Sequence, residues 1–80
     1  MAFAKSEKEW AERAARHLKA ELKRAGHTYE ELAERMKKHG FKDETKASVT
    51  NKLARGTFSA PFFLAALVAI GAEVVRLEDI

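Results

Sequence analysis

Apolar residues recur every three or four positions along most of this 80-residue chain, which is the spacing of amphipathic α-helices. Glycine closes each of these apolar stretches, as it often does just beyond the last turn of a helix, at positions 26, 40, 56 and 71. These two patterns predict an all-α fold of four helices, over residues 6–25, 28–39, 45–55 and 59–70.

Residues that cap helix N-termini stand before each predicted helix. Ser6 and Thr28 each have a glutamate three positions later, which is the pattern of a capping box. Either Asp43 or Thr45 is expected to cap the third helix, and Ser59 to cap the fourth. The helix starts are therefore predicted independently of the glycines that end them.

The inward-facing positions of these helices predict one hydrophobic core. Its expected members are Trp10, Leu18, Leu22, Leu32, Met36, Val49, Leu53, Phe62, Leu64, Leu67 and Ile70. The fourth helix is apolar on nearly every side, so it is expected to be central or to meet a second subunit. After it, the weak alternation of residues 72–80 favours a short extended tail or strand, and a last helical turn is the alternative.

Size and composition favour one small soluble domain spanning residues 1–80. The chain has no cysteine, which excludes disulfides and thiolate zinc sites and fits a reducing compartment. Its longest apolar run, residues 60–72, is shorter than the roughly 20 residues that cross a membrane. We therefore expect a cytoplasmic protein with no membrane partner.

Positive charge is concentrated in the first part of the chain. Residues 1–56 carry a net charge of +5, whereas residues 57–80 carry −2. The third predicted helix, residues 46–55, has three basic residues and no acidic one. Its polar residues suit nucleic acid, because Ser and Asn bond base edges, Arg pairs with guanine and Lys with phosphate. The candidate nucleic-acid-binding residues are Lys46, Ser48, Asn51, Lys52 and Arg55. The alternative is a solvated helix whose Arg55 offsets the helix dipole.

The sequence lacks the motifs of an enzyme or a metal site. His17, His27 and His39 lie on different segments without ligand spacing, and no glycine-rich phosphate loop occurs. We expect no catalytic activity, no metal and no cofactor.

The order of segments resembles a known fold family. "TYEELAERM", "NKLARG" and "AIG" follow one another as in lambda-repressor-like (Cro/repressor-type) helix-turn-helix domains. Trp10, "TYEELAE" and "NKLARGTF" also resemble a bacterial family of short proteins known only as a domain of unknown function. The resemblance implies a DNA-binding module. One difference is the long segment "HGFKDETK" between the second and third helices, which either leaves their angle intact or tilts the third helix.

These observations predict a small transcriptional regulator that binds double-stranded DNA as a homodimer. The expected dimer interface comprises Phe63, Val68, Val74, Val75 and Leu77. A protein-interaction adaptor with no nucleic-acid role is the alternative, and RNA binding by the same basic face is a third possibility.

Overall fold

The computed structural model describes residues 3–80, and its four α-helices confirm the predicted all-α fold. The helices are α1 (Glu7–Ala25), α2 (Tyr29–Met36), α3 (Lys46–Arg55) and α4 (Ala60–Ala69). Single 3₁₀ turns occur at Lys37–His39 and Leu77–Asp79, and no strand is present within residues 3–80. Of the predicted domain range 1–80, residues 1–2 lie outside the described residues.

Each helix begins at a side chain that accepts a hydrogen bond from a free backbone N–H of the first turn. The capping residues are Ser6, Thr28, Thr45 and Ser59. Reciprocal capping boxes form at α2 and at α3, where Thr45 rather than Asp43 is the cap. At α1 the predicted box is incomplete, because the Glu9 carboxylate accepts from the backbone N–H of Lys5 at 3.3 Å.

The core lies where α3 and α4 pack against α1 and α2. Nine of the eleven predicted core residues are buried, and Phe62 is at the centre with the Phe41 ring edge-on at 6.1 Å. Trp10 and Leu64 are exceptions, since they are 45% and 62% exposed. A four-residue spacing advances about 40° around a helix at each step, so the apolar series from Trp10 to Leu22 does not stay on one face.

The connection between α2 and α3 is an ordered loop. α2 ends at Met36, three residues earlier than predicted, and a 3₁₀ turn follows. The half-buried Phe41 then packs against the core, and its backbone N–H donates to the Met36 carbonyl at 3.2 Å. Glu44 extends this anchoring, because its N–H donates to the Phe41 carbonyl and its side chain is buried.

The C-terminal segment is an extended tail and not a strand, which agrees with the first of the two forms predicted for residues 72–80. Residues 72–76 have no regular structure, and a 3₁₀ turn follows. The tail reaches α1, where an Arg13 guanidinium nitrogen donates to the Ile80 carbonyl at 3.4 Å. None of the helices within residues 3–80 has the length and apolar character to cross a membrane.

Candidate nucleic-acid interface

α3 turns one side to the core and leaves the opposite side open to solvent. Val49 and Leu53 are fully buried between α1 and α2 and fix the rotation of the helix. The exposed residues form what we call the outer face of α3: Lys46, Ala47, Thr50, Asn51, Ala54 and Arg55. At 1.5 Å per residue this ten-residue helix is about 15 Å long, so the outer face covers about three turns.

The middle of the outer face consists of short side chains, with a cation at each end. Thr50 bonds back to its own helix, its hydroxyl donating to the Lys46 carbonyl at 2.7 Å. Within the described part of the chain, the side chains of Asn51 and Arg55 have no hydrogen-bond or ion-pair partner. Lys46, Asn51 and Arg55 are therefore the predicted binding residues that the fold leaves available to a ligand.

Ser48 and Lys52, the other two predicted binding residues, turn toward Glu44. The Ser48 hydroxyl donates to one Glu44 carboxylate oxygen at 2.7 Å, and the Lys52 ammonium pairs with the other at 2.5 Å. The same ammonium lies 4.7 Å from the centre of the Phe62 ring, a cation–π contact. Both side chains are half-buried, whereas the carboxylate is almost fully buried.

The Glu44 contacts hold α3 at its first two turns. A ligand that drew Lys52 away would leave a buried carboxylate without its counter-ion, which is costly in a poorly solvated site. The Ser48 hydroxyl also accepts from the Thr45 backbone N–H, which completes the capping box, and it lies 3.0 Å from the Thr45 carbonyl oxygen, so it takes part in three hydrogen-bond contacts. Lys52 and Ser48 therefore position the outer face, and the structure does not bring them onto it.

A second set of cations borders the outer face from α1. Arg16 and Lys19 line a depression of about 320 Å³ between α1 and the end of α3, and Arg55 lines it from the other side. The binding residues predicted from the sequence did not include these two residues of α1. The sequence shows that α1 has a polar side. It does not show that α3 lies next to that side, because the contact between two helices depends on tertiary packing.

Acidic residues border α3 from α2. Glu30, Glu31 and Glu34 are all exposed, and a depression of about 270 Å³ between α2 and the start of α3 is lined by two of them and by Glu44. Lys37 and Lys46 line this depression as well, and Lys37 pairs with Glu34 at 2.8 Å. The charges beside the outer face are thus mainly basic toward α1 and mixed toward α2, where Glu30 has no ion-pair partner within residues 3–80.

The residues predicted for the dimer interface separate into two groups. Phe63 and Val75 are half-buried and pack against the core, Phe63 also stacking on Phe58 with ring centres 5.8 Å apart. Val68, Val74 and Leu77 are 58%, 73% and 72% exposed. Leu64 lies one turn before Val68 on α4 and is equally exposed, although the sequence placed it in the core.

The histidines do not form a site. Within residues 3–80, no three His, Asp or Glu side chains are grouped in a way that would hold a metal ion. Among the described residues, no hydrogen-bond partner is found for the buried ring nitrogens His17 Nε2 and His27 Nδ1. His27 Nδ1 lies 3.7 Å from a Glu31 carboxylate oxygen, beyond hydrogen-bonding distance.

Comparison with known proteins places the chain in a family. No curated protein and no solved structure matches it. A protein family described as "Domain of unknown function (DUF6471)" matches residues 10–75, which include all of α2, α3 and α4 and most of α1. The chain therefore belongs to this family of unknown function.

Proposed function

We propose that this protein is a DNA-binding module of the helix-turn-helix type, which places the outer face of α3 in the major groove. The observation that carries the proposal is the exposure of Asn51 and Arg55, one turn apart and without partners among the described residues, on a helix whose other side is fully buried. Asn pairs with adenine and Arg with guanine by two hydrogen bonds each in the major groove.

Small side chains support close approach of α3 to base edges. Ala47 and Ala54 flank Asn51 and present only methyl groups, which also suit contact with the thymine methyl. The Glu44 contacts and the buried Val49 and Leu53 fix the helix before any ligand arrives. Binding therefore requires little reordering of α3, which favours affinity.

A titration against a pool of duplex DNA tests the proposal, with selection of bound sequences. Affinity should fall steeply between about 50 and 200 mM salt, as condensed counterions are released from the duplex. Asn51→Ala should relax the preference at one base pair, by about 1–3 kcal/mol, without abolishing non-specific binding. Lys38→Gln, which removes a charge from the 3₁₀ turn after α2, is the control and should keep the sequence preference.

Absence of duplex binding at about 50 mM salt would refute the DNA proposal. Tighter binding to duplex RNA than to DNA of the same sequence would also contradict it, because a major-groove reader requires the B-form groove.

The exposed apolar side chains of α4 and the tail support a homodimer. Leu64 and Val68 are adjacent on the solvent side of α4, and Val74 and Leu77 are the most exposed large apolar residues of the tail. Two-fold pairing is the commonest closed assembly, and helix-turn-helix dimers span half-sites one helical turn apart. We propose that a second copy covers these residues.

Sedimentation at micromolar concentration tests the pairing. Val68→Lys should shift the protein to monomer, whereas Ala25→Lys, the same charge at an exposed position at the end of α1, should leave the dimer intact. A monomer for the unmodified chain would refute pairing. If that chain also fails to bind duplexes, the apolar surface favours the second candidate function, an adaptor that docks a partner protein.

A further inference from the structure

Three cations form a continuous basic surface from α3 onto α1. Arg16 and Lys19 of α1 and Arg55 of α3 line the same depression, and Arg55 also belongs to the outer face of α3. Glu12 is the only acidic residue among the eight that line this depression. We call Arg16, Lys19 and Arg55 the α1–α3 basic track.

The charge of the track is not neutralised by the fold. All three side chains are exposed, and within residues 3–80 none of them has an ion-pair or hydrogen-bond partner. Arg35 and Lys37 differ, since Arg35 donates to the Ala69 carbonyl at 3.3 Å and Lys37 pairs with Glu34 at 2.8 Å. Lys38 of the 3₁₀ turn is exposed and has no such partner within residues 3–80.

The distance between the two halves of the track is fixed by a backbone contact. Gly56 follows Arg55 and lies against Ala11 of α1 so closely that a Cβ on the glycine would be 2.7 Å from the Ala11 carbonyl oxygen. Arg16 lies five residues after Ala11 on the same helix. The cations are therefore carried by two helices in direct contact, which holds them in a constant arrangement relative to the outer face.

We infer that the phosphate backbone of the bound nucleic acid crosses α1 on Arg16 and Lys19, and not α2. The inference rests on the proposed DNA-binding function and identifies the phosphate-binding surface of that same site. A duplex docked on the outer face of α3 has phosphates on both sides of the groove. Glu30 of α2 has no ion-pair partner within residues 3–80 and repels phosphates on one side, where Glu34 is already paired with Lys37. The track attracts phosphates on the other side.

The experiment compares two double variants of equal net charge. Arg16→Gln with Lys19→Gln removes two charges from α1, and the control, Lys38→Gln with Lys42→Gln, removes two exposed charges from the connection between α2 and α3. Each phosphate contact contributes about 0.9 to the slope of log affinity against log salt, or up to about 15-fold between 1 M and 50 mM salt. The track variant should lower the slope by about 1.8, and the control should lower it by less than about 0.5.

The outcomes distinguish this inference from the proposed function. If the unmodified protein binds duplex DNA but the two variants lower the salt slope by the same amount, the inference about the track is overturned and DNA binding stands. If the unmodified protein does not bind, the proposed function fails and the track with it. Both variants should keep the unfolding midpoint of the unmodified protein, because within residues 3–80 none of the four side chains packs into the core or forms a hydrogen bond.

Discussion

Replacing Gly56 with alanine tests the contact that joins α1 to α3. Gly56 ends α3 with a φ of +68°, and its N–H donates to the Lys52 carbonyl at 2.9 Å. The left-handed conformation costs a residue with a Cβ about 1–2 kcal/mol. The new methyl group would also lie 2.7 Å from the carbonyl oxygen of Ala11 and 3.1 Å from its carbon.

The steric cost of this substitution is not easily relieved. Carbon and oxygen normally approach to about 3.3 Å, so α1 and α3 must separate by roughly 0.6 Å. Both neighbouring atoms belong to the backbone of α1, so no side-chain rotation relieves the overlap. Overpacking of this kind costs about 1–3 kcal/mol. We therefore expect Gly56→Ala to lower the free energy of unfolding by about 2–5 kcal/mol.

Gly26 provides the matched control. It ends α1 with a φ of +76°, but a Cβ built there meets no atom within 4 Å. Gly26→Ala should therefore cost only the conformational term, about 1–2 kcal/mol. Urea unfolding followed by far-ultraviolet circular dichroism measures both variants. Equal losses, within about 0.5 kcal/mol, would show that the approach of α3 to α1 is not as close as described.

Two further predictions concern the core and the pH dependence of stability. Leu53→Ala should lower the free energy of unfolding by about 2–5 kcal/mol, because Leu53 is fully buried. Leu64→Ala, at an exposed position, should lower it by less than about 1 kcal/mol. A loss below about 0.5 kcal/mol for Leu53→Ala would refute the orientation of α3. The backbone N–H of Thr28 donates a hydrogen bond to the Glu31 carboxylate at 2.9 Å and lowers the pKa of that carboxyl below its usual value. The stabilisation from this carboxylate is therefore present above its unfolded-state pKa and is lost as pH falls through the lower pKa of the folded state. Glu31→Gln should therefore be less stable than the unmodified protein at neutral pH and equal to it in strong acid; the same difference at both pH values would contradict this.

Local signals in the sequence were sufficient to predict the four helices. Capping residues and terminal glycines act within one turn of the helix they start or end, so Thr45 and Gly56 define α3 without reference to the rest of the fold. The fold class was confirmed for this reason. The end of α2 was predicted too late, because a 3₁₀ turn and an α-helical turn have similar residue preferences.

Burial was harder to predict where a helix has no polar side. α4 has apolar residues all round, so the sequence contains no contrast that would separate the buried Leu67 from the exposed Leu64. Only packing against α1 and α2 decides which side is covered. The sequence likewise contains no signal that Phe63, which is predicted at the dimer interface, stacks on Phe58.

The charge of the candidate site shows most clearly what a linear sequence leaves out. Segment 46–55 contains no acid, which favoured a uniformly basic helix, yet Glu44 lies just outside it and pairs with Lys52. Helical geometry places Lys52 about 100° from Asn51, so one residue joins the interior network and its neighbour the outer face. Lys52 is paired with Glu44, and the cations that lie beside the outer face are instead Arg16 and Lys19, which are more than thirty positions before Lys52 in the chain. The electrostatic character of the outer face is therefore a property of the contact between α1 and α3, and any test of nucleic-acid binding has to include charges on both helices.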